Sequence, residues 1–325
     1  MAQDFDVIRG AGWWRATLGF LAIAALAAAL LDGQATGGKA KRTLSFDSEV
    51  DTGPRGKYLP RWNDGMLVGY ATNFSSGPIL YSIDRSGYRT ETLFALPDGA
   101  RINLMNIALS NDGEIALVGS ALSADSRGAT FVARIAADRQ HQTVTRIWPY
   151  CAVVVTFAPD GTVWTVGHLK DDENTRVVAY NVLRRFDHSG KVLGSTTIRT
   201  SASRPQETSY LFSSADRVGW FTREREFIEF SLDGTEIGRY EWPEEFSGGE
   251  VSGVATSDGN DVIASWSYNG RMELLALDRT AGAWQTLALP ALHHPVSAWV
   301  LGFDGTTLVT TTASDRITRF RTKPE

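Results

Sequence analysis

Apolar and polar residues alternate along most of the chain after residue 42, in short runs that Asp-Gly pairs interrupt. One copy of this pattern occupies residues 156–168 and reads TFAPDGTVWTVGH. A period of two places successive side chains on opposite faces of a strand. Asp and Gly suit the turn between two such runs, because a tight hairpin needs positive φ or a side chain that bonds its own backbone. The pattern predicts β-hairpins and no helix after residue 42.

The hairpin recurs with a nearly constant period. The Asp-Gly pairs of these hairpins, which have strand-like flanks, follow one another in steps of 48, 48, 98 and 46 residues, and they are Asp64-Gly65, Asp112-Gly113, Asp160-Gly161, Asp258-Gly259 and Asp304-Gly305. Because the long step is about twice the others, we expect a hidden sixth copy in which Ala215-Asp216 occupies the turn. Repeated units of this length are typical of propellers and solenoids.

Each hairpin is followed by a third strand that ends in Asp, a second turn and a fourth strand, as in FIEFSLDGTEIGRYEW at residues 227–242. Proline ends the outermost strand in four units, at Leu96-Pro97, Trp148-Pro149, Trp242-Pro243 and Leu289-Pro290. Such a four-stranded antiparallel meander buries both faces only between neighbours, as in a ring. A β-sandwich or an open solenoid is the alternative, and a misassigned hairpin would give five or seven blades.

The two ends of the repeat region are complementary. The last unit stops one strand short, whereas RTLSFDSEV at residues 42–50 precedes the first full unit and has no hairpin partner nearby. We expect this segment to supply the missing outer strand, which closes the ring and removes a free strand edge. The predicted fold class is therefore all-β, a six-bladed β-propeller over residues 43–325.

The N-terminus forms a separate segment. Residues 16–31 read ATLGFLAIAALAAALL, without a charge, and Arg9 and Arg15 precede them. A basic flank, an apolar run and a small residue such as Ala35 indicate a secretory signal. Gly10 to Trp14 would lengthen the apolar run towards a membrane anchor. Residues 1–35 are thus predicted to be a signal peptide or anchor and residues 36–42 a linker. The protein is predicted to be exported, either periplasmic or extracellular, and an uncleaved anchor would tether it to the membrane.

Composition narrows the classes of partner and chemistry. The chain has 325 residues and a net charge of -5 with no basic block, so a nucleic-acid partner has no electrostatic support. The single cysteine, Cys151, excludes an internal disulfide, and its apolar surroundings WPYCAVVV predict a buried, unreactive thiol. Trp164, Trp220 and Trp266 recur in the second strands, which favours packing between blades.

The chain from about residue 42 to 325 resembles six-bladed β-propellers of the NHL, TolB-like and gluconolactonase-like superfamilies. The turns SNDGEI, APDGTV and TSDGND and the D-x-x-G second turns carry this resemblance. It implies the ring fold without singling out one family. Such propellers include sugar-lactone hydrolases, quinone-dependent dehydrogenases, protein-binding scaffolds and carbohydrate binders, so the resemblance leaves the function open.

Candidate site residues lie where the chain enters the inner strands, because loops of several blades converge at that end of a channel. We select those nearest to each strand start: Tyr58, Asn103, Asn106, Tyr150, Glu207, Tyr210, Glu250 and His293, with Lys57 and His294 beside two of them. Neighbouring residues on a strand point to opposite faces, so His293 and His294 do not suit one metal site.

Enzyme signatures are weak. Calcium-dependent lactonases that resemble this fold carry a Glu in an E-G-P-x-W segment and an Asn in P-N-G, whereas the corresponding segment here is KYLPRWNDG, and P-N-G is absent. The favoured hypothesis is a non-catalytic binding or scaffold module, without cofactor, that takes a protein, glycan or small ligand at its channel mouth. The alternative is a lactonase-like hydrolase in which Asn106, Glu207 and Glu250 hold Ca²⁺.

Overall fold

The structure is a computed structural model. It describes residues 43–323 except for 52–60, 64–65, 74–76, 85–87, 97–100, 123–127, 172, 174–175, 201–209, 223–225, 257–260, 270, 288–298, 304 and 312–315. Residues 40–325 form one compact unit. The predicted signal or anchor segment, and candidate residues Lys57, Tyr58, Glu207, His293 and His294, lie outside the described residues.

In the described part of the chain, twenty-four strands form six antiparallel sheets of four, which we number as blades one to six. Blade one consists of β2 (Arg61–Asn63), β3 (Met66–Asn73), β4 (Gly77–Ile83) and β5 (Arg89–Leu93). Blade two consists of β6 (Arg101–Leu109), β7 (Ile115–Leu122), β8 (Gly128–Ile135) and β9 (Gln142–Arg146). Blade three consists of β10 (Tyr150–Phe157), β11 (Val163–Lys170), β12 (Val177–Phe186) and β13 (Val192–Thr197). Blade four consists of β14 (Tyr210–Ser213), β15 (Arg217–Phe221), β16 (Glu226–Ser231) and β17 (Glu236–Glu241). Blade five consists of β18 (Glu250–Thr256), β19 (Val262–Tyr268), β20 (Arg271–Asp278) and β21 (Ala283–Leu287). Blade six consists of β22 (Trp299–Phe303), β23 (Thr307–Thr311), β24 (Arg316–Lys323) and β1 (Thr43–Asp51).

The first strands of the blades form a closed inner ring. Strand β2 packs against β6, β6 against β10, β10 against β14, β14 against β18, β18 against β22, and β22 returns to β2. The predicted closure is also confirmed, since β1 pairs antiparallel with β24 and supplies the outer strand of blade six. The N-terminal strand thereby joins the two ends of the propeller through backbone hydrogen bonds.

The core is divided among the six interfaces between blades. Each interface holds one cluster of buried apolar side chains, from blades one and two around to blades six and one. Trp164 and Trp220 are fully buried in the cluster between blades three and four, and Trp266 is buried between blades four and five. The predicted packing role of these tryptophans is confirmed.

The hairpin turns adopt the backbone that their sequence predicts. Gly113, Gly161 and Gly305 have φ of 84°, 76° and 91°, a left-handed conformation that glycine adopts without strain. The hidden fourth hairpin is present, with Ala215 and Asp216 between β14 and β15. Among the described residues, the helical content is one short 3₁₀ helix, Glu244–Phe246, on the connection from blade four to blade five.

A feature that the pattern did not predict is a β-bulge near the middle of the inner strand. It recurs in blades two, three, five and six, between Leu104 and Asn106, Ala152 and Val154, Val251 and Gly253, and Val300 and Gly302. A bulge adds one residue to one strand and bends it locally. The repeated bulge therefore gives these four inner strands a similar bend beside the channel.

Candidate functional site

The channel has two chemically different ends. At one end, which we call the loop end, the connections between blades lead into the inner strands. At the other end, the turn end, lie the hairpin turns that join the first and second strands of each blade. The candidate residues chosen from the sequence belong to the loop end. The cavity described next lies at the turn end.

A cavity of about 1190 Å³ opens among the inner strands. Its wall comes from five blades, through residues 108–112, 155–161, 210–215, 254–255 and 301–303. Further lining residues come from the turns and the other strands of blades two, three and six: Asp47, Glu114, Arg134, Ala137, His188, Thr307, Val309 and Arg319. A concave space where several blades converge is the usual position of a small-ligand site.

Ion pairs hold part of this wall in place. Glu114 pairs with Arg134 within blade two, and Arg134 Nη1 donates to the carbonyl oxygen of Gly161 in blade three at 3.0 Å. Asp47 Oδ1 lies 2.9 Å from Arg321 Nε on the neighbouring strand of blade six. These contacts join blades two and three and fasten the closing strand, so they account structurally for two of the four carboxylates at the cavity.

The other two carboxylates belong to adjacent turns. Asp160 Oδ1 accepts hydrogen bonds from Thr162 N at 2.9 Å and from Thr162 Oγ1 at 2.6 Å, which stabilises its own turn. Asp112 occupies the corresponding turn of blade two and is exposed. Within the described part of the chain, no cation pairs with Asp112 or Asp160. Each of these turns also holds a guanidinium, because Arg139 Nη1 donates to Gly113 O at 2.7 Å and Arg134 Nη1 donates to Gly161 O at 3.0 Å.

Ser214 is a buried hydroxyl on the wall of the cavity. Ser214 directly follows β14, is 8% exposed and belongs to the lining of the cavity. Its Oγ finds no hydrogen-bond partner among the residues that the structure describes. A buried polar atom without a partner costs free energy, and this oxygen exposes less than 1 Å², so it is not open to the cavity.

The shorter turn of blade four explains this hydroxyl. In blade two, Ser110 N donates to Glu114 O, and Glu114 N donates back to Ser110 Oγ at 2.9 Å. In blade four, Ser214 N donates to Arg217 O, so the hairpin closes one residue earlier. The amide that Ser110 Oγ accepts from has no equivalent there. The Ser214 hydroxyl therefore lacks that internal partner.

Most of the described candidate residues contact their own blade or the next one. Asn103 lies exposed on β6 and its Nδ2 approaches Met105 Sδ at 3.9 Å. Asn106 is half-buried, and its Oδ1 accepts a hydrogen bond from Val155 N of the next blade at 3.4 Å. Glu250 begins β18, and its side chain lies outside what the structure describes. Tyr210 is the described candidate that lines the cavity.

Tyr150 is fully buried inside blade three. Its hydroxyl lies 2.9 Å from Thr165 Oγ1 and donates to Val182 O at 3.0 Å, while the Arg184 guanidinium lies 4.4 Å from its ring centroid. Burial raises the pKa of this phenol far above its ordinary value, so the group stays neutral. The geometry gives Tyr150 a packing role.

We expect Tyr150→Phe to lower the free energy of unfolding by about 1–2 kcal/mol, because it leaves the buried carbonyl of Val182 without this donor. Ligand affinity should stay unchanged, since Tyr150 is not part of the cavity wall. Urea unfolding of the full chain measures the first effect and calorimetric titration the second. A variant that unfolds like the wild type but loses binding would contradict the packing role.

Cys151 and His168 face each other across β10 and β11. The sequence predicted a buried thiol, whereas the structure shows a half-buried one. Burial raises the pKa of the Cys151 thiol and lowers the pKa of the His168 imidazole. Both side chains are thus neutral near pH 7, which does not suit a thiolate–imidazolium pair.

Two further searches bear on the predicted chemistry. Within the described ranges, no group of three or more His, Cys, Asp or Glu side chains is arranged to hold a metal ion. In the same part of the chain, no helix has the length and apolar character to cross a membrane. Of the three ligands in the lactonase alternative, only Asn106 has a described side chain, and it bonds the neighbouring blade.

Sequence reasoning did not select Ser214 or the turn end. The available signal was the turn length, because SADR at residues 214–217 of blade four is one residue shorter than SNDGE at residues 110–114 of blade two. That difference marks the serine whose hydroxyl cannot be satisfied by the turn amide. The size of the cavity had no signal in the sequence, because it depends on how far the inner strands stand apart.

No protein-family model matches the sequence, and no curated protein matches it. Among solved structures, the chain is similar to a protein from Bacteroides fragilis NCTC 9343 described as a "Putative exported protein". The TM-score is 0.52 at 10% sequence identity, and the match covers 90% of this chain and 98% of that chain. In all, 583 chains of solved structures match. At this identity the match shows a shared fold alone, and a fold shared this widely does not select a function.

Proposed function

We propose that this protein is an exported, non-catalytic β-propeller that binds a small polar ligand at the turn end of its channel. The observation that carries the proposal is the cavity of about 1190 Å³, whose wall comes from the inner strands of five blades. Its volume is somewhat above the roughly 300–1000 Å³ of pockets for drug-sized ligands, so a small molecule has room to bind. A protein partner would need a much wider contact surface.

The side chains around the cavity favour binding over catalysis. Glu114 and Arg134 pair with each other, Asp47 pairs with Arg321, and Asp160 bonds Thr162 of its own turn. These contacts stabilise blades and turns. A rigid wall with a few convergent polar groups orients a ligand without acting on it.

Binding at the turn end is tested by obstructing it. Ala215 is an exposed residue of the blade-four turn and lines the cavity, whereas Ala281 is an exposed residue of the blade-five second turn outside it. Ligands are first identified by screening a library of polar small molecules against the full chain. We expect Ala215→Trp to lower their affinity by tenfold or more. Ala281→Trp should leave their affinities unchanged. Equal effects of the two variants on every ligand would contradict the proposed site.

We also propose export, either as a soluble protein or tethered to the membrane. The uncharged segment at residues 16–31 supports this, and so does the description of the similar Bacteroides fragilis protein. Cells that produce the full chain should carry it outside the cytoplasm, and deletion of residues 1–35 should retain it inside. Cell fractionation with mass spectrometry of the N-terminus measures both. Recovery of the full chain with cytoplasmic proteins would contradict export.

A further inference from the structure

A row of nearly parallel aromatic rings crosses blade four and ends at the cavity. The rings belong to Tyr240 on the outer strand β17, Phe227 on β16 and Phe212 on the inner strand β14. The Phe227 and Tyr240 ring centroids are 5.9 Å apart at 23°, and those of Phe212 and Phe227 are 5.5 Å apart at 9°. These values lie within the range of offset stacking. Phe212 is therefore the innermost ring of a stack, which we call the blade-four stack.

A glycine on the intervening strand makes this stack possible. Gly219 lies on β15 opposite Phe212. A Cβ at Gly219 would lie 2.6 Å from Phe227 Cε2 and 2.9 Å from Phe212 Cε2. Because this position has no side chain, the two phenylalanine rings occupy the space above it and pack against each other. The packing on that side restrains the orientation of the Phe212 ring.

Phe212 keeps part of its surface open. Phe227 stacks on it, and Phe212 also packs against the buried cluster between blades four and five. It is nevertheless only half-buried, and it belongs to the cavity wall. The adjacent inner strands β10 and β18 add Val155 and Val254 to the same wall. The cavity therefore has an apolar part beside Phe212, whereas the hairpin turns at its mouth are polar.

We infer that the turn end binds a polar small molecule that carries a planar aromatic ring, and that this ring stacks on Phe212 as the next member of the blade-four stack. This inference rests on the proposed binding function and names its ligand class. A flat ring covers apolar surface of Phe212 and gains the stacking energy of an aromatic pair. The polar groups of the ligand point towards the hairpin turns and the solvent. A saturated ring of the same size buries a similar area but gains no stacking energy.

Ligand-detected NMR titration of the full chain with matched probes tests the inference. The probes are 2-naphthol and decahydro-2-naphthol, which share a carbon skeleton and a hydroxyl group and differ in aromaticity, and glucose as a polar molecule without an aromatic ring. We expect 2-naphthol to bind about threefold to tenfold more tightly than decahydro-2-naphthol, and glucose to bind most weakly. The ring protons of 2-naphthol should shift upfield on binding, because they would lie over the face of the Phe212 ring.

Three variants at the two ends of the stack assign the effect to Phe212. Phe212→Leu keeps an apolar side chain but removes the ring, and it should remove both the preference for 2-naphthol and the upfield shift. Phe212→Tyr keeps the ring and should keep both. The matched control is Tyr240→Leu, which removes the ring at the other end of the stack, away from the cavity wall. It should leave the preference and the shift unchanged, and urea unfolding shows that each variant is folded before titration.

The outcomes distinguish this inference from the binding function. If the two naphthol probes bind equally and Ala215→Trp weakens both, the aromatic class is wrong and the site stands. The same holds if Phe212→Leu keeps the preference and the upfield shift, or if neither probe binds but Ala215→Trp weakens the library ligands. If Ala215→Trp weakens no ligand at all, both the inference and the binding function are wrong.

Discussion

Replacing Glu229 with alanine should lower the free energy of unfolding by about 3–5 kcal/mol. Glu229 is 1% exposed on β16, and its carboxylate receives Arg279 Nη2 at 2.6 Å and Arg279 Nε at 3.0 Å. Arg279 belongs to the second turn of blade five, so this pair joins two blades. The variant would leave a mostly buried guanidinium without the carboxylate that balances it.

The surroundings of Glu229 increase the expected effect. Arg217 Nη1 and the Tyr240 hydroxyl each lie 3.4 Å from Glu229 Oε2, so three residues share one buried carboxylate. The hydrogen bonds and charges of Asp216 and Glu229 raise the pKa of Arg217, which stays charged throughout. Removing the carboxylate leaves two buried or half-buried positive charges near each other.

The matched control is Glu236→Ala on β17 of the same blade. Glu236 pairs with Arg239 at 2.9 Å, but the two side chains are 41% and 31% exposed. Such an exposed pair contributes at most about 1 kcal/mol. Urea unfolding of the full chain compares the variants. A Glu229→Ala protein as stable as the Glu236→Ala protein would contradict the stabilising role of the ion pair between Glu229 and Arg279.

Gly167→Ala should lower the free energy of unfolding by about 3 kcal/mol. Gly167 lies on β11 opposite the bulge of β10, and a Cβ there would overlap the carbonyl oxygen of Cys151 and lie 2.8 Å from Ala152 Cα. Both obstacles are backbone atoms, which cannot rotate away as a side chain can. Relief requires the inner strand to move and its bulge to change.

Gly248→Ala is the control for this prediction. A Cβ at Gly248 would meet the Tyr268 ring at 3.5 Å, an ordinary contact, and its backbone is not left-handed. We expect a change within about 0.5 kcal/mol. Thermal unfolding of both variants measures the difference. Equal stability of the two proteins would show that the inner-strand bulge does not constrain the second strand.

The ring could be predicted from the sequence because its signals are local. An Asp-Gly turn between two alternating runs specifies a hairpin without reference to the rest of the chain. Even ring closure was visible, since one end lacked a strand and residues 42–50 supplied it. The bulges could not be predicted, because a bulge depends on the pairing register of two strands. The bulge residues Met105 and Val153 carry no sequence signal of their own.

The site was harder to predict because it depends on distant contacts. Tyr150 looked like a loop-end residue, yet its hydroxyl bonds a carbonyl 32 positions away. Glu229 lies among apolar residues, and its partner Arg279 is 50 positions away. The cavity itself follows from the spacing of five inner strands, which no single segment encodes.

The most direct test of binding at the turn end is a crystal structure of the full chain with the tightest ligand from the screen. We predict density for the ligand between the inner-strand ends, against residues 108–112 and 155–161 of the cavity wall. Density at the loop end next to Asn103, or on an outer strand, would contradict the proposed site.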